Sequence, residues 1–103
     1  MQFEWDETKR LLNLEKHKID FEDAATIYDG FVYTFPALRK DCSEERFVSI
    51  GLLCGIEIAI VFTPRGGKRR IISSRRARDA ERRKYYEERN KNEDGFGSFG
   101  SNE

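Results

Sequence analysis

The sequence predicts an α+β fold: a small antiparallel sheet, made of a three-strand meander with short edge strands, and three helices. Two helices fall near the N-terminus and one near the C-terminus. Composition is the first support. The chain has 103 residues, 38% hydrophobic and 37% charged, yet 13% aromatic. Chains that stay unfolded are poor in aromatic residues, so one compact, soluble domain with a small core follows. The second support is the meander itself. Three strand-like runs lie between residues 46 and 73, joined by connections too short for crossovers. The third is the pair of flanks, rich in good helix formers with capping residues at their starts.

Phe3-Glu4-Trp5 suits a short strand. Asp6 is a candidate N-cap for a helix over Glu7–His17, with Glu7 at the positive end of the helix dipole and Leu11, Leu12 and Leu14 as apolar positions. Lys16-His17-Lys18 puts cations at the negative end. Asp20 caps a second helix through Tyr28, and Asp29-Gly30 stops it. Phe31 to Phe35 is aromatic and β-prone, and Pro36 ends it. A polar loop, Ala37 to Glu45, leads to the strands Arg46–Leu53 and Ile56–Phe62, with Cys54-Gly55 as a two-residue hairpin turn. Thr63–Gly67 reads as a second turn and Lys68–Ser73 as a third strand. Ile56–Phe62 is nearly continuous in apolar character and is therefore the expected central strand. The last helix is expected over Arg78–Asn90, with a thin apolar face of Ala77, Ala80, Tyr85 and Tyr86. Residues 1–90 form the expected domain, and residues 91–103, with Gly-Phe-Gly-Ser-Phe-Gly, an unstructured tail.

The formal net charge is zero, from 19 basic and 19 acidic residues, which argues against a uniformly basic nucleic-acid binder. The charge is segregated, however. Residues 1–63 carry seven basic against twelve acidic side chains, a net of −5. Residues 64–84 carry ten against two, a net of +8, and eight of those ten are arginine. Residues 85–103 carry two against five, a net of −3. Arginine forks match phosphate geometry, and two acids inside the block cannot neutralise ten bases, so the block reads as a polyanion site rather than an ion-paired helix face. Two cysteines, Cys42 and Cys54, and one histidine fit no zinc spacing and read as reduced cytosolic thiols. No apolar run approaches the roughly 20 residues of a membrane span, and the start MQFEWDETKR is no secretory signal.

Several stretches taken in order resemble the BrnT family of bacterial toxins, which is similar in fold to the RelE-like ribonucleases. They are Phe3-Glu4-Trp5-Asp6-Glu7 with Lys9, Asn13-Leu14-x-Lys16-His17, Ile19-x-Phe21, Glu45-Arg46-Phe47 with Ile50-Gly51, and Arg70-Ile71-Ile72-Ser73-x-Arg75-x-Ala77 with Glu81-Arg82 and Tyr85. Two departures stand out. Lys18 replaces a glycine after the Lys-His pair, and Arg78 stands where the family tends to place a small hydroxyl residue. The resemblance implies a RelE-like fold and RNA cleavage without metal or other cofactor. It also implies neutralisation by a BrnA-like ribbon-helix-helix antitoxin that binds operator DNA, in a cytoplasmic complex of dimeric or heterotetrameric form.

Such cleavage needs a base for the 2′-OH, an acid for the leaving oxygen and cations for the charge on the phosphorane. His17 is the one side chain with an ordinary pKa suited to proton transfer at neutral pH, with Lys16 beside it; its alternative use is to cap the first helix. Arg46 and Arg75 are the other catalytic candidates, expected to converge with Arg70 on one phosphate opposite the covering helices; their alternative is surface pairing with Glu44, Glu45 or Glu57. Lys68, Arg69, Arg70, Arg78 and Arg82 are candidates for RNA backbone contacts. Tyr85 either serves the site or anchors the last helix, and the remaining aromatics are assigned to the core. Two non-enzymatic readings stay open: a nucleic-acid-binding regulator, and a protein-interaction module using the basic segment.

Overall fold

The computed structural model describes residues 2–37 and 44–97, with side chains described through Lys91. Five strands form one sheet in the order β1-β5-β4-β3-β2. They are β1 (Phe3–Glu4), β2 (Tyr33–Pro36), β3 (Phe47–Leu53), β4 (Ile56–Arg65) and β5 (Lys68–Arg76). The meander β3-β4-β5 is antiparallel, β2 adds antiparallel to β3, and β4 is central. β1 lies parallel to β5, with Phe3 opposite Arg69 and Glu4 opposite Arg70, so the sheet is mixed rather than wholly antiparallel. That pairing joins residues 66 apart and leaves no local mark in the sequence. Arg70 reinforces it with an ion pair to Glu4 at 3.1 Å.

Both hairpin turns have positive φ at two successive residues, Cys54 and Gly55, then Gly66 and Gly67, as tight two-residue turns require. β4 runs through Pro64 to Arg65, so the second turn is Gly66-Gly67 alone rather than Thr63–Gly67. Pro64 is tolerated because β3 begins opposite Phe62, leaving β4 an edge beyond that point. β5 extends to Arg76, three residues past the expected Ser73, because Arg75 and Arg76 pair with Ala59 and Ile58.

Helix α1 (Glu7–His17) has the predicted bounds. Asp6 Oδ1 accepts from the amides of Thr8 and Lys9 at 2.8 and 3.3 Å, and Lys18 closes the helix in the left-handed region at φ 63°. Asp20 caps α2 (Phe21–Ala24), which tightens into a 3₁₀ turn over Ala25–Asp29 where a single helix to Tyr28 was expected. Arg10 grips Asp20 with two bonds of 2.9 Å and so fixes the corner between the helices.

α1, α2 and the 3₁₀ turn cover one sheet face through Ile19, Phe21, Ala24, Ile27, Ile58, Ile60, Phe62 and Ile71. Gly51 makes the close approach possible, since a Cβ there would stand 2.8 Å from Ile27 Cβ. α3 (Asp79–Gly97) covers part of the opposite face through Ala77 and Tyr85, packed on Val48, Ile50 and Ala59. The helix runs on to Gly97, past the Asn90 expected as its end. Lys91-Asn92-Glu93-Asp94 holds no breaker, and the first glycine comes only at residue 95. Residues 98–103 of the expected tail, and Cys42, lie outside the described residues, while Cys54 is a free, exposed thiol.

One edge device is unusual. Beyond Arg70, β5 has no strand neighbour on its outer side, yet Ser74 there is fully buried. The side-chain amide of Asn13 substitutes for a strand: Oδ1 accepts from Ser74 N at 3.2 Å and Nδ2 donates to Ser74 O at 2.9 Å. Nδ2 also reaches Ile19 O at 2.9 Å, so one amide ties α1, the α2 entry and β5 together.

Candidate active site

The half of the sheet face that α3 leaves uncovered carries the arginines. Alternation along the strands puts Phe47, Phe62 and Ile71 on the α1 face, and hence Arg46, Thr63 and Arg70 on the α3 face, in one row across β3, β4 and β5. One register step closer to α3 lies Val61, and then Arg75 beside Ala59. Arg46, Val48, Val61 and Arg75 form the floor of a cavity of about 450 Å3. Phe35, Pro36 and Ala37 wall it on one side, Arg78 and Glu81 from the start of α3 on the other.

Glu81 organises this cavity. Its carboxylate accepts from Arg75 Nη1 at 2.8 Å and Nη2 at 2.9 Å, and from the Arg78 amide at 2.8 Å. The last bond is half of a capping box, in which the acid at the third helical position reaches back to the cap residue. The other half is missing because Arg78 has no hydroxyl. Burial pushes the Glu81 carboxyl up, but the Arg75 guanidinium, the Arg78 amide and the two positive charges outweigh it and hold the pKa below its ordinary value.

Arg75 is held, not spent. Of the five N–H groups of a guanidinium, three are engaged: two with Glu81 and a second Nη1–H with Arg76 O at 3.2 Å. The Nε–H and the second Nη2–H form the other fork and have no partner among the described residues. Arg46 is similar. Its Nη2 reaches Glu44 at 3.3 Å, while its Nε is buried without a hydrogen bond. Arg75 therefore keeps an unused fork at a cavity that Arg46 also lines, which suits a phosphate.

Other sequence candidates lie elsewhere. His17 and Lys16 line a separate cavity at the β5 edge with Lys9, Leu12, Asn13, Ile72 and Ser73, and it shares no residue with the arginine cavity. Partial burial, then the charges of Lys16 and Arg75, lower the His17 pKa. Arg69 lies on the α1 face, stacked over Phe62 at 4.7 Å and Tyr28 at 5.0 Å, and Lys68 borders the same cavity from the start of β5. Arg70 pairs with Glu4, and Arg82 with Asp79, at opposite ends of the uncovered face. Tyr85 is 2% exposed, and its hydroxyl donates to Phe31 O at 3.4 Å. It anchors α3 and lines neither the arginine nor the histidine cavity. Glu81 and Asn13 fall within the BrnT-like stretches but carry no assigned role there. The Arg78-x-x-Glu81 spacing of a capping box is a usable signal for Glu81, whereas the amide–strand contact of Asn13 has none.

Residues 5–81 match the family described as the ribonuclease toxin, BrnT, of type II toxin–antitoxin systems. The chain belongs to the BrnT family. The matched span contains every residue that lines the arginine cavity, while Arg82 and Tyr85 fall just beyond it. The crystal structure of the Brucella abortus ribonuclease toxin BrnT is 34% identical in sequence and superposes with a TM-score of 0.56, covering 77% of this chain and 99% of that one. Among curated proteins no relative matches. As a BrnT-family member the chain is a ribonuclease toxin of a type II toxin–antitoxin system, which entails an RNA substrate and an antitoxin partner. Among the described residues no helix is long and apolar enough to cross a membrane, and no three His, Cys, Asp or Glu side chains gather as a metal site.

Proposed function

We propose that the chain is an endoribonuclease that cleaves RNA at the arginine cavity without a metal, within a RelE-like fold, and so inhibits translation and growth. The observation that carries this reading is the unused fork of Arg75, fixed by Glu81 in a cavity that Arg46 also lines. A phosphodiester entering the cavity meets Arg75 side-on from β5 and Arg46 from the start of β3, across β4. Both gain strength as the phosphorane becomes doubly negative, which is the differential stabilisation catalysis requires. Arg78 and Arg82, at the first turn of α3, hold flanking phosphates, and Arg70 continues the row across the sheet.

Proton transfer falls to His17. Its lowered pKa keeps the imidazole neutral at pH 7, as a base must be, and it lies across the β5 edge from Arg75. An RNA strand passing over that edge reaches both, with Lys16 and Lys9 on its path. The partner we assign is a BrnA-like ribbon-helix-helix antitoxin whose acidic surface covers the same cations, in a two-fold cytoplasmic complex that reaches operator DNA only through the antitoxin.

The test is inducible expression with and without the neighbouring antitoxin gene, then RNA-end mapping with purified protein in excess chelator. Growth arrest, relieved by the antitoxin, and chelator-resistant cleavage are expected. Arg46→Ala and Arg75→Ala should each lose cleavage by about 10²–10³-fold, the scale of a lost charge-stabilising donor. Retention of activity by both folded variants overturns the arginine site. Tight duplex binding with no cleavage overturns the enzyme.

A further inference from the structure

The arginine cavity does not end at Glu81. It opens into an apolar groove of about 530 Å3 between β2 and the start of α3, lined by Tyr33, Phe35, Pro36, Ala80, Glu81 and Lys84. Phe35, Pro36 and Glu81 line both, so the two are one trough with a cationic end and an aromatic end. Both volumes lie within the roughly 300–1,000 Å3 of ligand sites.

We propose that the aromatic end is a nucleobase subsite, in which one unstacked base of the RNA lies on the Tyr33–Phe35 platform while its phosphate sits on Arg46 and Arg75. The proposal rests on the ribonuclease reading above. Three observations carry it. Tyr33 and Phe35 are two residues apart on β2, so their rings share one sheet face, with centroids 5.4 Å apart and planes inclined by only 30°. Single-stranded RNA is held in this way, with the backbone on cations and splayed bases on aromatic rings. The groove also shares Phe35, Pro36 and Glu81 with the cavity that Arg46 and Arg75 line, so one nucleotide bridges both ends. Finally, the charged groups of the groove are already engaged. Glu81 is bound to Arg75 and Arg78, and Lys84 pairs with Glu87 at 3.2 Å and Glu88 at 3.3 Å. Stacking rather than hydrogen-bonded readout then holds the base, so its presence counts for more than its identity.

The test measures binding of fluorescent 2′-O-methyl RNA oligonucleotides, which lack the attacking hydroxyl, with a single abasic site moved along the strand. The full chain is used, unmodified and as Tyr33→Leu and Phe35→Leu, which keep apolar volume. One abasic position is expected to weaken binding between about 5-fold and 150-fold, the range of one lost base stack, while base exchange there changes it by less. Each leucine variant is expected to weaken binding of the intact strand by a similar factor, with little further loss on the strand abasic at that position. Uniform affinity along the abasic scan with unmodified protein overturns the subsite and needs no variant to fold. Leucine variants that lose antitoxin binding but keep RNA affinity overturn it in favour of a protein-docking groove. Failure of the unmodified chain to bind any of these strands removes the ribonuclease reading itself.

Discussion

Glu81→Gln is the most informative single change, because it removes one charge and almost no volume. The Glu81 carboxylate accepts from three donors, and its side chain and that of Arg75 are only 13% and 15% exposed. A carboxamide offers one oxygen and turns an NH2 toward the others, so at least one donor faces another donor. A bond to a charged group contributes about 1.5–3 kcal/mol, and at this exposure solvent screening removes little of it. The variant should therefore be about 1.5–3 kcal/mol less stable in urea at pH 7, with an unchanged m-value. At about 4–8 °C per kcal/mol for a domain of this size, the melting temperature should fall by about 6–24 °C. The pH dependence is equally specific. A carboxyl whose folded pKa lies below its ordinary 4.5 stabilises the fold above that value and loses this as pH falls through the folded pKa. The gap between the two proteins should be full at pH 7 and shrink below about pH 4.5. In an Arg75→Met background the same substitution should cost about 1 kcal/mol less. A loss below about 0.5 kcal/mol, or a gap that does not shrink in acid, refutes the organising role of Glu81.

Three further outcomes are expected. Lys18→Gly should stabilise the fold by about 1 kcal/mol in thermal or urea melts, since a lysine at φ 63° bears the left-handed penalty that glycine escapes. Replacing Arg78 and Arg82 by glutamine should reduce the salt dependence of RNA binding by up to about two units of log–log slope. Arg69→Gln, on the opposite face, should reduce it by less per charge removed; an equal effect per charge would show that the RNA does not distinguish the faces. Cleavage should decline as pH falls through the lowered His17 pKa, below 6.5, and His17→Gln should abolish that limb of the profile along with most of the rate. A His17→Gln protein with wild-type rate and profile leaves the imidazole as a helix-end residue only.

Local signals carried much of the architecture. The Asp6 and Asp20 caps, the apolar centre of β4 and the glycines of both turns each act over a few residues, and each element formed where they point. The helix ends were less legible. α2 tightens after four residues where Thr26 Oγ1 donates back to Asp23 O at 2.6 Å, and α3 outruns its apolar face. Charge segregation marked residues 64–84 as the cationic block, and the structure divides that block between faces. Strand alternation sends Arg69 to one side and Arg70 to the other, and a bulge at Val61/Phe62 brings Arg75 back to the Arg70 side.

What the sequence determined by itself is the α+β class, the meander and the cationic inventory, which follow from short-range propensity, periodicity and composition, and the BrnT resemblance, which rests on an ordered set of matching stretches. Tertiary structure alone decided the parallel pairing of β1, the use of Asn13 as a strand substitute at Ser74, and the constellation of Arg46, Arg75 and Glu81. Those contacts join residues from 6 to 66 positions apart, and they depend on register and face. One residue of register moves every side chain of a strand to the other side of the sheet. The same arginines thus become a phosphate site or a solvated surface according to pairings that no local stretch of the chain encodes.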